Sequence, residues 1–258
     1  MLLVIDAGNT NITLGVFLKD ELLFVARSAT RRKKTSDEYA YDMLNMFILH
    51  GLSARECSGV IISSVVPEIT ASLQSAADLI TGCKPVLLSS TTRCGLEILT
   101  DRPAELGADM IAGAVAVKAG YSLPAVVADF GTATKLYVLD KNGAFIGCTI
   151  AAGIGTSLSA LSSGASQLPA VSLRAPRKVI GTNTVDCMQS GAVYGAACLL
   201  DGMIDRFEKE LGYKFSSIVV TGGYSAPIIG HSYHDITHDK NLLLRGLKLI
   251  YEMNGEKL

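Results

Sequence analysis

The feature that most constrains the fold of this chain is a short pattern that occurs twice. Asp6-Ala7-Gly8 and Asp129-Phe130-Gly131 each follow an apolar, strand-like segment, and each precedes another strand rather than a helix. Small and polar residues between two extended segments are typical of a β-hairpin. The repeat therefore predicts two halves of similar construction, each opening with a strand, a tight loop and a second strand.

The elements that follow each hairpin agree with this repeat. Helical patterns over 36–51, 67–80 and 105–119 alternate with apolar strand patterns over 59–67 and 85–90. A long helical pattern over 185–211 precedes SIVVTGGYS, whose place in the second half matches that of IISSVVP in the first. We expect an α/β protein divided near residue 120 into domains 1–120 and 121–258. The two halves are expected to face each other across a cleft.

Composition limits the classes of function. Of the 258 residues, 49% are hydrophobic and 18% are charged, which indicates a globular chain rather than a disordered one. The formal net charge is -1, so no global electrostatic argument favours a nucleic acid or an anionic membrane as a partner. A small ligand is the expected partner.

Three further patterns bear on location and chemistry. The opening MLLVIDAGNT has no basic segment and no long apolar segment, so we expect a cytoplasmic protein. The longest uncharged stretch, 142–173, contains five Gly, eight Ser or Thr and Pro169, and is expected to be buried or interfacial protein rather than a membrane span. The six cysteines show no Cys-x-x-Cys spacing, which favours reduced thiols in the core over zinc or disulfides.

The repeated hairpin has a chemical interpretation. Glycine lets the backbone approach a ligand, the following N–H groups can donate to phosphate oxygens, and the aspartate can hold Mg²⁺ through water. A plain hairpin turn is the alternative. No Gly-x-x-x-x-Gly-Lys-Ser/Thr segment is present, which argues against a P-loop enzyme. The predicted phosphate-binding residues are Asp6, Ala7, Gly8, Asn9, Thr10, Asn11, Ile12, Thr13, Gly131 and Thr132.

Paired hairpins of this kind resemble the superfamily of actin, heat-shock chaperones, sugar kinases and acetate kinases, in which ATP phosphates lie between them. Within it, seven segments in order over nearly the whole chain resemble type III pantothenate kinase. They are DAGNTN at 6–11, PAELGAD at 103–109, DFGTAT at 129–134, SLSAL at 157–161, IGTNT at 180–184, MQSGAVYG at 188–195 and TGG at 221–223. The resemblance implies two ribonuclease H-like halves facing across a nucleotide cleft.

The resemblance also implies an activity: ATP-dependent phosphorylation of pantothenate to 4'-phosphopantothenate, the first step of coenzyme A biosynthesis. It implies Asp109 as catalytic base in the first half, Mg²⁺ held through water by Asp6, and a monovalent cation, K⁺ or NH₄⁺, at Asp129. It further implies a homodimer with shared active sites, with its interface in the second half. The implied substrate-binding residues are Thr100, Gly107, Ala108, Asp109, Met110 and Thr184.

Two of these residues have simpler explanations when only the local sequence is considered. Asp109 is also an ordinary acidic residue in the first turn of a helix, where the helix dipole favours a carboxylate. Thr184 precedes the long helical pattern at 185–211, so it is a candidate N-cap as well as a contact to pantothenate bound by the other subunit. A close-packed helix pair, in a dimer or in a monomer core, accounts for Gly191 and Gly195.

The chain departs from the family pattern in the substrate region. The family usually reads Gly-x-Asp-Arg where this chain has Met110 after Asp109, and Thr100 stands where an aromatic residue is frequent. A thioether cannot pair with the substrate carboxylate, so we expect Arg102 to supply the missing charge. The alternative function is a nucleotide-binding, catalytically altered paralogue with a regulatory role or another small hydroxy substrate.

Two other groups of residues have open interpretations. Lys135 follows the second hairpin, where it either neutralises phosphate charge or lies on the solvent side of its strand, and we favour the solvent side. His231, His234 and His238, with Asp235 and Asp239, form a possible metal cluster. Their spacing matches no recognised ligand pattern, so a solvated polar loop is the favoured interpretation.

Overall fold

The structure, a computed structural model, describes residues 1–89 and 92–255. The described residues form ten strands: β1 (Leu2–Ala7), β2 (Asn11–Leu18), β3 (Glu21–Ala29), β4 (Gly59–Ser64), β5 (Val86–Leu87), β6 (Ala125–Phe130), β7 (Ala133–Leu139), β8 (Phe145–Ala152), β9 (Ser217–Thr221) and β10 (Thr237–His238). They also form seven helices: α1 (Ser36–Leu49), α2 (Pro67–Thr81), α3 (Ala108–Gly120), α4 (Ile154–Gly164), α5 (Thr184–Leu211), α6 (Ala226–Ile229) and α7 (Leu242–Asn254).

The strands form two five-stranded sheets of the same topology. Their orders are β3-β2-β1-β4-β5 and β8-β7-β6-β9-β10, so each strand of the first has a counterpart in the second. In both sheets the first three strands are antiparallel neighbours, and the opening strand pairs in parallel with β4 or β9. The predicted internal repeat and the α/β fold class with two similar halves are confirmed.

The central strands are apolar because they are covered on both faces. All six residues of β6 are buried, and β1 and β4 contribute Leu3, Ile5, Val60 and Ile62 to a core that also includes residues of α1 and α2. Such strands have near-continuous hydrophobic sequences. The pairing registers of β1 and β6 place the Asp-x-Gly loops at the ends of these two central strands.

Local signals set the ends of several helices. Thr35 and Glu38 form a capping box at the start of α1, with each side chain hydrogen-bonded to the other residue's backbone N–H. Pro67 occupies the first turn of α2, and Gly82 ends that helix in the left-handed conformation at φ 79°. The predicted helix over 105–119 begins later: Pro103–Glu105 forms a 3₁₀ turn, and α3 starts at Ala108.

The contacts divide the chain into two compact units that differ from the expected division at residue 120. One unit comprises 1–96, 101–116 and the chain from Leu242 onward, and the other comprises 97–100 and 117–241. The chain returns to the first unit because α7 packs against β1, β2 and β4. Lys248 of α7 also forms an ion pair of 2.9 Å with Asp20, in the turn between β2 and β3.

The remaining expectations have mixed outcomes. Among the described helices, none has the length and apolar character that crossing a bilayer requires. All six thiols are free, but only Cys57 is buried, while Cys148, Cys187 and Cys198 are exposed, so the expectation of core thiols is wrong for these three. The strand predicted over 85–90 is shorter, Val86–Leu87, and residue 90 lies outside the described residues.

Candidate active site

The first hairpin turns directly after Asp6. In the sheet, half-buried Asp6 lies opposite Thr13 of β2 and beside Ser63 of β4. The loop closes where the Gly8 N–H donates to the Asn11 carbonyl oxygen at 3.0 Å. The Ser63 hydroxyl is buried and, among the described residues, has no hydrogen-bond partner. Asp6 is thus placed among oxygen-bearing side chains at the base of the loop.

The tip of this hairpin is held from the next segment of the chain. The Thr30 hydroxyl donates to the Gly8 carbonyl at 2.6 Å, and the Thr30 N–H donates to the Thr10 carbonyl at 2.9 Å. The Arg32 guanidinium donates to the Asn9 side-chain oxygen at 3.1 Å. These bonds fix the carbonyl side of the loop, while the Asn9 and Thr10 side chains stay exposed. The predicted residues 6–13 therefore share one braced hairpin.

The second hairpin has a comparable loop. Its Gly131 N–H donates to the Ala133 carbonyl at 3.2 Å. The Thr132 carbonyl accepts from the Gly153 N–H at 3.1 Å and from the Thr156 hydroxyl at 2.9 Å. A Cβ at Gly153 would lie 2.2 Å from the Thr132 carbonyl oxygen, so only glycine allows this contact. Gly131 and Thr132 are thus held by the start of α4.

Asp129, at the base of this hairpin, forms an ion pair with Lys135. The two residues lie opposite each other in the β6–β7 register, and Nζ is 2.8 Å from Oδ2. Their side chains are 11% and 13% exposed, which places both charges in a largely desolvated site. The favoured interpretation of Lys135, a lysine on the solvent side of its strand, is wrong. Register explains the error: six positions across a short hairpin bring residues 129 and 135 side by side.

Asp109 lies in the first turn of α3. Its Oδ1 accepts a hydrogen bond of 2.8 Å from the Met110 N–H. A Cβ at Gly107 would lie 2.7 Å from that same oxygen, so the glycine makes room for the carboxylate above the helix N-terminus. A carboxylate there is stabilised by the helix dipole. The structure thus holds the predicted base at a defined position, half-buried in the first unit.

The structure gives the position of each of the three residues that bear on the departure from the family pattern. The Met110 side chain is 7% exposed, so it is a core residue. Arg102 is exposed and donates to Glu105 at 3.0 Å, which places a guanidinium on the surface of the same unit. Thr100 belongs to the other unit, and its hydroxyl is buried without a hydrogen-bond partner among the described residues.

Thr184 is not the N-cap of α5. The cap is Asn183, whose side-chain oxygen accepts from the Asp186 N–H at 3.0 Å, and Thr184 is the first helical residue. Asparagine is among the best N-caps, so the sequence held a signal for this position. Thr184 is exposed and is not needed for capping.

The histidine segment forms no metal cluster among the described residues. His238 hydrogen-bonds the Ser225 hydroxyl at 2.8 Å, His234 lies 3.4 Å from Asp205, and the His231 ring packs edge-on against Tyr194. Burial and the nearby Lys240 lower the pKa of His238. Because the three rings have separate partners, the metal-cluster interpretation receives no support.

Two α/β sheets of the same topology, each opening with an Asp-x-Gly hairpin, give this chain the two-halved α/β fold of sugar kinases and actin-like ATPases. An inorganic polyphosphate/ATP-glucomannokinase from Arthrobacter sp. strain KM shares the fold with a TM-score of 0.50 and 14% identity, covering 100% of this chain and 99% of that one. A Baf family protein from Campylobacter jejuni shares it with a TM-score of 0.62 and 19% identity, covering 98% and 99%.

Sequence comparison narrows the class. The family profile described as type III pantothenate kinase matches residues 2–206. A type III pantothenate kinase of Moorella thermoacetica is 41% identical over 255 residues, which cover 98% of this chain and 100% of the relative. This chain belongs to the type III pantothenate kinase family.

Proposed function

We propose that the protein transfers the γ-phosphoryl group of ATP to the primary hydroxyl of pantothenate, forming 4'-phosphopantothenate in the first step of coenzyme A biosynthesis. The observation that carries the proposal is membership of the family, shown by the profile over residues 2–206 and by a relative aligned to 98% of the chain, together with both hairpins and an Asp109 carboxylate oriented by a backbone N–H. Phosphoryl transfer needs positioning and charge neutralisation more than covalent chemistry. A cytoplasmic location is part of this proposal and fits ATP and pantothenate as substrates.

The hairpins supply the ATP site in this proposal. The backbone of 7–13 and of 131–132 offers N–H groups to phosphate oxygens, and bonds from Thr30 and Thr156 hold the two loops in place. Mg²⁺ prefers oxygen ligands and keeps several waters, and Asp6 beside the buried Ser63 hydroxyl is a donor set of that kind. Asp6 would hold the ion through water. When bound, Mg²⁺ neutralises phosphate charge.

Asp109 acts as the base in this mechanism. A carboxylate with two oxygens can keep the hydrogen bond from Met110 and also accept the proton of a substrate hydroxyl. The bond from the backbone orients the group, which removes rotational freedom before the reaction. Proton removal then makes the hydroxyl oxygen a better nucleophile toward the γ-phosphorus.

The monovalent cation that the family resemblance implies does not fit the residues at Asp129. The Lys135 ammonium lies 2.8 Å from the Asp129 carboxylate and already balances its charge. K⁺ or NH₄⁺ at the same carboxylate would meet a like charge in a site where both side chains are nearly buried. No step of the mechanism is assigned to such an ion.

We also propose a homodimer with an interface in the second unit, where Thr184 reaches the pantothenate of the other subunit. An apolar cavity of about 440 Å³ opens between α4, α5 and the second sheet. Apart from the adjoining backbone of α5 itself, no described atom lies within 4 Å of a Cβ built at Gly191 or Gly195, so these glycines do not make room for another element of the same subunit. Leu161 and Leu199, which line the cavity, are 48% and 36% exposed.

The experiment is ADP release from ATP and Mg²⁺, with and without pantothenate, for the wild type and Asp109→Asn. We expect turnover that requires pantothenate, and a loss of about 10³-fold in the variant because the amide cannot accept the proton. Asp37→Asn is the matched control, since Asp37 is an exposed acid in the first turn of α1. Equal rates with and without pantothenate, or full activity in Asp109→Asn, would reject the proposal.

The second candidate function is the altered, nucleotide-binding paralogue. The observation that favours it is the buried Met110 at the place of the family's usual arginine. Nucleotide binding without phosphorylation of pantothenate in the same assay would establish it. Transfer to another small hydroxy compound would then define its substrate.

A further inference from the structure

The internal repeat offers a comparison within one molecule. Asp6 and Asp129 end equivalent strands and precede equivalent hairpins, yet their cross-strand neighbours differ. Asp6 lies opposite Thr13, a neutral hydroxyl, whereas Asp129 lies opposite Lys135, a cation. The two carboxylates therefore have different electrostatic surroundings despite their equivalent positions.

The Lys135 ammonium is held close to the second hairpin. Its 2.8 Å ion pair with Asp129 lies directly below the loop, since a Cβ at Gly131 would lie 3.5 Å from Asp129 Oδ1. With side-chain exposures of 13% and 11%, the pair is screened far less than a surface ion pair would be. Lys135 thus places a fixed positive charge at the base of a candidate phosphate-binding loop.

We propose that the Lys135 ammonium is a built-in substitute for a monovalent cation at the second hairpin, so that this enzyme works without K⁺ or NH₄⁺. The inference rests on the proposed kinase function. A primary ammonium carries the same single charge as K⁺ and directs its hydrogens at oxygen acceptors. Because it is tethered to β7, it is present at every turnover and requires no ion from solution.

The same geometry disfavours a soluble cation at that carboxylate. Removing one partner of a desolvated pair leaves an unpaired charge, which is strongly unfavourable. If Lys135 is replaced by a neutral residue, the Asp129 carboxylate becomes a partly enclosed oxygen site in need of a cation. Lysine removal should therefore create a cation requirement that the wild type does not have.

The test compares the wild type with Lys135→Thr in buffers whose salt is potassium, sodium or choline chloride. We expect wild-type turnover to change less than about twofold among the three salts. We expect the variant to lose about tenfold in choline and to recover most of that loss in K⁺. Lys141→Thr is the matched control, because Lys141 is an exposed lysine in the turn after β7 and should leave the salt response flat.

A second readout does not depend on catalysis. Melting temperatures in the same salts should agree for the wild type, while K⁺ should raise that of Lys135→Thr above its value in choline by about 4 °C, since a ligand that binds only the folded state stabilises it. Thallium(I), a probe for potassium sites, should give a bound ²⁰⁵Tl resonance with Lys135→Thr and none with the wild type.

These outcomes separate the inference from the proposed function. A wild type that is activated about tenfold by K⁺ over choline, or that binds thallium(I) at this site, would overturn the inference while leaving the kinase intact. If the protein does not phosphorylate pantothenate, the proposed function is rejected. The melting temperatures and thallium(I) binding would still test whether Lys135 takes the place of a monovalent cation. If Lys135→Thr does not fold, Lys135→Gln provides the neutral variant, and its indifference to K⁺ in melting would equally overturn the inference.

Discussion

Gly246 of α7 packs directly against the backbone carbonyl of Ala112 in α3. A Cβ at position 246 would lie 1.8 Å from the Ala112 carbonyl oxygen. Because that oxygen belongs to the backbone of a buried helical residue, it cannot move without shifting the helix. We predict that Gly246→Ala lowers the free energy of unfolding by about 3 kcal/mol, since overpacking forces backbone shifts. Equilibrium unfolding in guanidinium chloride measures the change.

Gly202→Ala is the matched control for this prediction. Gly202 lies inside α5, and no described atom outside the adjoining backbone of that helix comes within 4 Å of a Cβ built there. Alanine has a higher helix propensity than glycine, so the control should gain about 0.5 kcal/mol or more. If the two substitutions change the free energy of unfolding equally, the close approach of α7 to α3 is not the reason that position 246 requires glycine.

The second prediction concerns Arg102. It is exposed beside Glu105, in the same unit as Asp109, and we expect it to bind the pantothenate carboxylate in place of the arginine that Met110 replaces. Arg102→Ala should raise the KM for pantothenate about tenfold or more, with a smaller effect on kcat, because a charge-assisted contact is lost. Steady-state kinetics at saturating ATP measures both constants.

Arg102→Lys serves as the conservative variant, because it keeps the charge and loses the planar fork. It should restore part of the affinity for pantothenate. An unchanged KM in Arg102→Ala would assign the substrate carboxylate to other residues. Glu105→Gln, which removes the partner of Arg102, tests whether that ion pair competes with the substrate.

The sequence predicted the repeat and the hairpins because both depend on local signals. An apolar strand ending in Asp-x-Gly defines each loop without knowledge of tertiary contacts, and the structure reproduces both. The return of α7 to the first unit was not predicted, since its partners β1 and β4 are more than 170 residues away in sequence. The burial of Lys135 was also missed, although hairpin register alone would have placed it opposite Asp129.

The third prediction concerns assembly. If α5 forms the proposed dimer interface, Leu199→Asp should place a charge in an apolar contact and dissociate the dimer. Light scattering on eluting protein should give twice 27.2 kDa for the wild type and 27.2 kDa for the variant. Pantothenate turnover should fall with the dimer, because Thr184 is proposed to act across the interface.

Leu49→Asp is the control for the assembly experiment. Leu49 is 83% exposed at the end of α1, in the other unit, so a charge there should leave mass and turnover unchanged. A wild type with a mass of 27.2 kDa would show that the protein is a monomer and reject the dimer. A Leu199→Asp variant that stays dimeric would place the interface away from α5.

The fourth prediction concerns pH and His238. Burial, followed by the charge of Lys240, lowers the pKa of this imidazole in the folded protein below 6.5. The unfolded chain, with an ordinary imidazole, then binds the proton more readily than the folded one does. The stability contributed by neutral His238 is therefore present above pH 6.5 and is lost as the pH falls through the folded pKa.

Unfolding curves at about pH 7.5 and about pH 5 should show this loss in the wild type. His238→Gln keeps a group that can bond the Ser225 hydroxyl but cannot titrate, so its stability should fall less over the same interval. His231→Gln, an exposed ring in the same segment, should retain the full wild-type difference. The glutamine side chain does not bind a proton between about pH 5 and about pH 7.5. If His238→Gln loses as much stability over this interval as the wild type, the acid sensitivity therefore belongs to other groups.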